Sequence, residues 1–203
     1  ARGQLAAVVM EMADAERSTR AQPTDADEAR VREALGWTEQ TGWPWPVYGP
    51  VVMAAVRADV PVFGGNLPRS HTRAVMGNAA LDATVPASAL AQQRERIREG
   101  HCDLLPASQL GPMTRVQLAR DRVLARTAQE QLATGKTVLL IAGNGHVRRD
   151  IGIPLHLPPG QAHKVLVAQA GPAGADAPGD AVWATPALPE KDHCAELRKQ
   201  FGR

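Results

Sequence analysis

Apolar residues along this chain gather into short continuous runs, separated by segments in which they recur every three or four positions. The runs are residues 5–10 (LAAVVM), 60–63 (VPVF), 137–142 (TVLLIA), 164–168 (KVLVA) and 181–185 (AVWAT). Their length, β-branched content and flanking Gly or Pro read as strands, and continuous apolar runs suit strands covered on both faces. The segments between them predict helices over 25–35, 50–58, 68–76, 86–98 and 111–133. Thr24 is placed to cap the first, with acids in its opening turn, and Pro50 to open the second. In the last and longest, Leu110, Met113, Val116, Ala119 and Val123 hold one face, and Gly135 ends it. Strands alternating with helices predict an α/β fold, with a largely parallel central sheet flanked by helices in a single domain over 1–203. By composition, residues 171–180 (GPAGADAPGD) read as a flexible surface loop.

Composition narrows the function classes. With 203 residues, 44% of them hydrophobic, the chain can bury a core. A net charge of +2 gives no electrostatic case for nucleic acid or an anionic membrane as partner. No run of eighteen apolar residues is present to span a bilayer. The sequence starts at Ala1 and enters a strand-like run at once, so the expectation is an N-terminally truncated domain whose first strand lies upstream. Cys102 and Cys194 lack metal-ligand spacing. They fit either one disulfide in an extracytoplasmic protein or two thiols in a cytosolic one.

Chemistry concentrates where apolar runs end, which in parallel sheets is where ligands bind. Residues 143–151 (GNGHVRRDI) follow the run at 137–142 and supply Asn144, His146, Arg148, Arg149 and Asp150. Gly143 and Gly145 are expected to let the backbone turn sharply and approach a ligand. Arg148 and Asp150 either serve a site or pair with each other. Glu11 stands at the end of the first run, where burial raises a carboxylate pKa unless a cation is near. Four of the seven aromatic residues, Trp37, Trp43, Trp45 and Tyr48, fall in one Pro-rich stretch. They either form the loop's own apolar cluster or wall a flat ligand, with the Tyr48 hydroxyl as a possible ligand. For Cys102, a disulfide to Cys194 is preferred over a nucleophile pair with His101. On the long helix, Gln117, Arg120, Asp121 and Leu124 share a face that reads as solvated, with Arg120 able to reach the site. His71, His156, His163 and His193 show no usable spacing.

These segments resemble the ChaN-type haem-binding lipoproteins, a branch of the Tiki/erythromycin-esterase-like superfamily. VVMEM (8–12), WPWPVYGP (43–50), GHCDLLP (100–106), MTRVQLARD (113–121), AGNGHVRRDIGIP (142–154) and DHCAEL (192–197) carry the resemblance, AGNGHVRRDIGIP most specifically. It implies haem binding for iron uptake at the bacterial cell envelope, in the periplasm or as an outer-membrane lipoprotein. It also implies a membrane-associated protein held by a lipid anchor outside this chain, and envelope haem-uptake components as partners. The superfamily's polar site joins two G-x-x-H motifs to a strand-end glutamate. Gly143–His146 matches the second motif and Glu11 the glutamate, while the first motif is expected upstream of Ala1. A tyrosine ligand to haem iron falls to Tyr48, the sole tyrosine. A hard phenolate suits ferric haem. Asn144, His101 and His146 would then be its binding partners, the Trp-rich loop part of the wall, and two protomers would enclose the haem in a homodimer. On this reading the protein is not an enzyme. The alternative is a Tiki-like hydrolase in which Glu11, His146 and Arg148 activate water, with or without a divalent metal on Glu11 and His146. Both readings need Glu11 and His146 to converge on one cleft.

Overall fold

A computed structural model describes residues 3–38, 42–171, 179–187, 189 and 192–200, leaving aside the side chain of Gln200. The loop expected at 171–180 lies, apart from its ends, outside the described residues. The chain forms two compact units, one of Ala1–His71 with Arg120–Gly143, the other of Thr72–Ala119 with Asn144–Arg203.

In the first unit, strands β1 (Leu5–Asp14), β2 (Val62–Asn66) and β3 (Thr137–Ile141) form a parallel sheet in the order β2-β1-β3. Positions 7–13 of β1 are all buried, as expected of a central parallel strand. The strand runs four residues beyond the predicted 5–10. Its pairing with β2 is bulged between Met10 and Asp14, which carries the chain past the apolar run. This explains the glycines at 64 and 65, which lie inside β2 and do not close it. A Cβ at Gly64 would stand 2.0 Å from the Asp14 carbonyl oxygen, and one at Gly65 2.6 Å from the Leu124 side chain.

Helices α1 (Glu28–Ala34) and α2 (Trp45–Arg57) bury Val31, Leu35, Val52, Met53 and Val56 in one cluster with Val8, Met10, Met12 and Val62. Asp27, not Thr24, caps α1, its Oδ1 accepting the Arg30 N–H at 2.9 Å. Helix α2 starts five residues before the expected Pro50, which sits inside it. Pro46 in the first turn costs no hydrogen bond, while Pro50 removes one donor. Gly49 makes this stretch possible, because a Cβ there would lie 2.5 Å from Cε2 of the Trp45 indole. The indole therefore folds down against its own helix.

The second unit contains α3 (Thr72–Met76), α4 (Ala87–Gly100), the first part of α5 (Ala107–Glu130), α6 (Asn144–Val147), the parallel pair β4 (Leu166–Ala170) and β5 (Ala181–Thr185), and α7 (His193–Gln200). Arg115 donates to both carboxylate oxygens of Asp82 at 3.0 Å and to the Met76 carbonyl at 3.1 Å. A disulfide joins Cys102 to Cys194, with Cα atoms 5.6 Å apart. The expectation of a solvated face on α5 fails. Asp121 and Leu124 are fully buried on that face, and Val116 and Ala119 are buried on the apolar one.

Candidate functional site at the carboxyl edge of the three-stranded sheet

Pairing of β1 with β3 ends at Met10 and Ile141. The next residue of β1 is Glu11, buried at 5% exposure. Two residues beyond β3 the backbone N–H of Gly143 donates to Glu11 Oε2 at 2.7 Å. A Cβ on Gly143 would stand 3.4 Å from that oxygen, an ordinary van der Waals contact. Charge-assisted bonds of this kind contribute about 1.5–3 kcal/mol. At the same end of β1, loss of solvent raises the Asp14 carboxyl above its ordinary value, with the guanidinium groups of Arg17 and Arg120 opposing. The apolar run gave no hint of Asp14, because the bulge that extends β1 leaves no hydrophobic signature.

Tyr48 lies in the first turns of α2 and is half-buried against the core cluster. Burial first, and the Glu11 charge second, push its phenol above the ordinary value of 10.0. Its ring meets Trp43 edge-on with centroids 5.7 Å apart and Trp37 at 6.0 Å. Trp37 and Trp45 in turn pack edge-to-face at 5.1 Å. Both of these indoles are sealed in the core at 4% and 6% exposure. Their N–H groups donate to the Trp43 carbonyl at 2.9 Å and to Glu28 Oε2 at 3.0 Å. Trp37 and Trp45 thus belong to the main core of the first unit, not to a separate loop cluster, and these two indoles wall no ligand. Only Trp43 and Tyr48 keep partial access to solvent.

The remaining sequence candidates belong to the second unit. His146 sits half-exposed on the single turn α6. Asn144 opens that turn, its amide donating to the Ala168 carbonyl of β4 at 3.0 Å. Arg148 and Asp150 pair with each other: Nε and Nη2 donate to the two carboxylate oxygens at 2.9 and 2.5 Å. The guanidinium holds the Asp150 carboxyl below its usual range. Arg149 bonds His163 Nε2 at 2.8 Å and also Asp180. Neither Gly143 nor Gly145 adopts positive φ, so the turn does not use the freedom expected of them. Gly152 is the glycine the turn requires, since a Cβ there would stand 2.1 Å from the His146 carbonyl oxygen. His101 ends α4, with Nδ1 2.7 Å from the Ile97 carbonyl. Among the described residues, no three His, Cys, Asp or Glu side chains come together as metal ligands.

A mostly parallel α/β sheet with a carboxylate, a main-chain amide and a half-exposed tyrosine at its carboxyl edge defines a ligand-binding domain of the open-sheet class. The family model described as "Haem-binding uptake, Tiki superfamily, ChaN" matches residues 1–157, and the chain belongs to that family, whose ligand is haem. No curated protein matches it. A solved structure of ChaN from Campylobacter jejuni, showing cofacial haem binding, is similar at TM-score 0.67 and 23% identity, over 83% of this chain and 69% of that one. At that identity the likeness is one of fold.

Proposed function

We propose that this chain binds ferric haem through Tyr48 and serves haem-iron uptake at the bacterial cell envelope. The observation that carries the reading is Tyr48 itself: the sole tyrosine of a haem-family chain, half-exposed at the carboxyl edge of the sheet among apolar and aromatic side chains. Its chemistry fits the group, because a phenolate is a hard anionic donor for ferric iron. Haem, when bound, would supply the iron centre, and Tyr48 would supply the oxygen ligand. Burial first, and the Glu11 charge second, oppose loss of the phenol proton in the unliganded protein.

The Cys102–Cys194 disulfide supports an extracytoplasmic, oxidising location, in the periplasm or on an outer-membrane lipoprotein. A homodimer whose two protomers enclose the haem is part of the same proposal; the Campylobacter jejuni protein binds haem cofacially. The hydrolase reading has less support, since Arg148 is committed to Asp150. Haemin titration followed at the Soret band tests the reading. Saturable binding that weakens sharply in Tyr48→Phe is expected; no Soret change in the wild type, or an unchanged titration in the variant, overturns it.

A further inference from the structure

Helix α2 has an outer face that its inner face does not explain. Trp45, Gly49, Val52, Met53, Ala55 and Val56 turn into the core. Pro46, Val47, Pro50, Val51 and Ala54 face solvent, Val47 at 63% and Val51 at 43% exposure. From Trp45 to Val56 the helix carries no charged residue, and Arg57 is the first. Helices in contact with water place charged and polar groups on the outer face. Single exposed apolar residues need no explanation, but a contiguous stripe does. At about 100° per residue, Tyr48 lies on the seam between the two faces, some 60° from Val51 and 100° from Val47. The stripe from Val47 to Ala54 runs about 10 Å along the axis, comparable with the width of a porphyrin macrocycle.

We infer that Val47, Val51 and Ala54 are the apolar seat of the porphyrin, with Arg57 the cation closing the stripe on the side of the propionates. This rests on the haem reading above and goes beyond it, because it names the surface that holds the macrocycle once Tyr48 ligates the iron. It also accounts for the two prolines. Pro46 and Pro50 add apolar surface and stiffen the turns on either side of Tyr48, and neither puts an N–H on that face.

The test compares haemin binding and apo oligomeric state in the wild type, Val47→Asp, Val51→Asp and Val51→Leu. These positions are exposed, and circular dichroism confirms that each variant is folded. The expected result is an affinity loss of about tenfold or more in the Asp variants, where a charge must be desolvated against the ring. The phenolate signature persists in what still binds, and Val51→Leu retains wild-type affinity. Asp variants that bind haemin as tightly as the wild type would overturn the seat while leaving Tyr48 ligation standing. Asp variants that only disperse an apo dimer, at unchanged haem affinity per chain, would assign the stripe to a second copy of this chain. A wild type that binds no haemin would remove both the seat and the haem reading.

Discussion

Gly49→Ala puts the account of α2 at risk on the sign of its effect. Propensity alone favours alanine over glycine inside a helix by about 1 kcal/mol. The structure opposes this, since the added methyl would stand 2.5 Å from Cε2 and 2.6 Å from Nε1 of Trp45. That indole cannot swing away cheaply. It is 6% exposed, packs against Trp37 at 5.1 Å and donates to Glu28 at 3.0 Å. Forcing extra volume into such packing costs about 1–3 kcal/mol. Losing the indole's hydrogen bond adds about 1 kcal/mol. Subtracting the propensity gain leaves a net destabilisation of about 1–3 kcal/mol, or about 4–8 °C in Tm at the middle of that range. Thermal unfolding of the oxidised protein, followed by circular dichroism, reads the difference. A variant as stable as the wild type, or more stable, would refute the packing of Trp45 onto its own helix.

Three further outcomes follow from the same geometry. Removing the disulfide with Cys102→Ser and Cys194→Ser opens a cross-link between residues 92 apart; it should cost about 4–5 kcal/mol on chain-entropy grounds, and an unchanged urea midpoint would contradict it. Because Tyr48 is the sole tyrosine, ultraviolet titration of the phenolate reads it alone: the apo midpoint should lie above 10.0 and fall in Glu11→Gln. A phenol raised on folding contributes stability below its unfolded value and loses it as pH climbs through the folded one, so the Tyr48 contribution should disappear only in strong alkali. Gly152→Ala would drive a methyl into the His146 carbonyl, a backbone atom that cannot rotate aside, and should expose the 143–152 segment to limited proteolysis; cleavage at the wild-type rate would count against that turn.

The strands were legible because parallel-sheet burial writes continuous apolar runs: β5 falls at the predicted 181–185, and β3 ends one residue short of its prediction. The bulge in β1 was not legible, because it depends on backbone contact with Gly64 that no periodicity records. Pro50 misled for a related reason. Proline marks helix starts as a local rule, and here the helix begins five residues earlier, at the buried Trp45 whose indole is seated on Gly49. At the site, Glu11 and Tyr48 were readable as chemistry placed beside apolar segments. The buried face of α5 was not, since Gln117, Arg120 and Asp121 look like a solvated face until packing covers them. The Trp stretch announced an aromatic cluster but not that Trp37 and Trp45 would be sealed by their own hydrogen bonds.

Resonance Raman of the ferric haem complex tests the central claim most directly, since iron–phenolate vibrations appear only when a tyrosine oxygen is on the metal. The account predicts these bands in the wild type and their loss in Tyr48→Phe. A wild-type complex without them, or one whose spectrum is unchanged by that substitution, would contradict it.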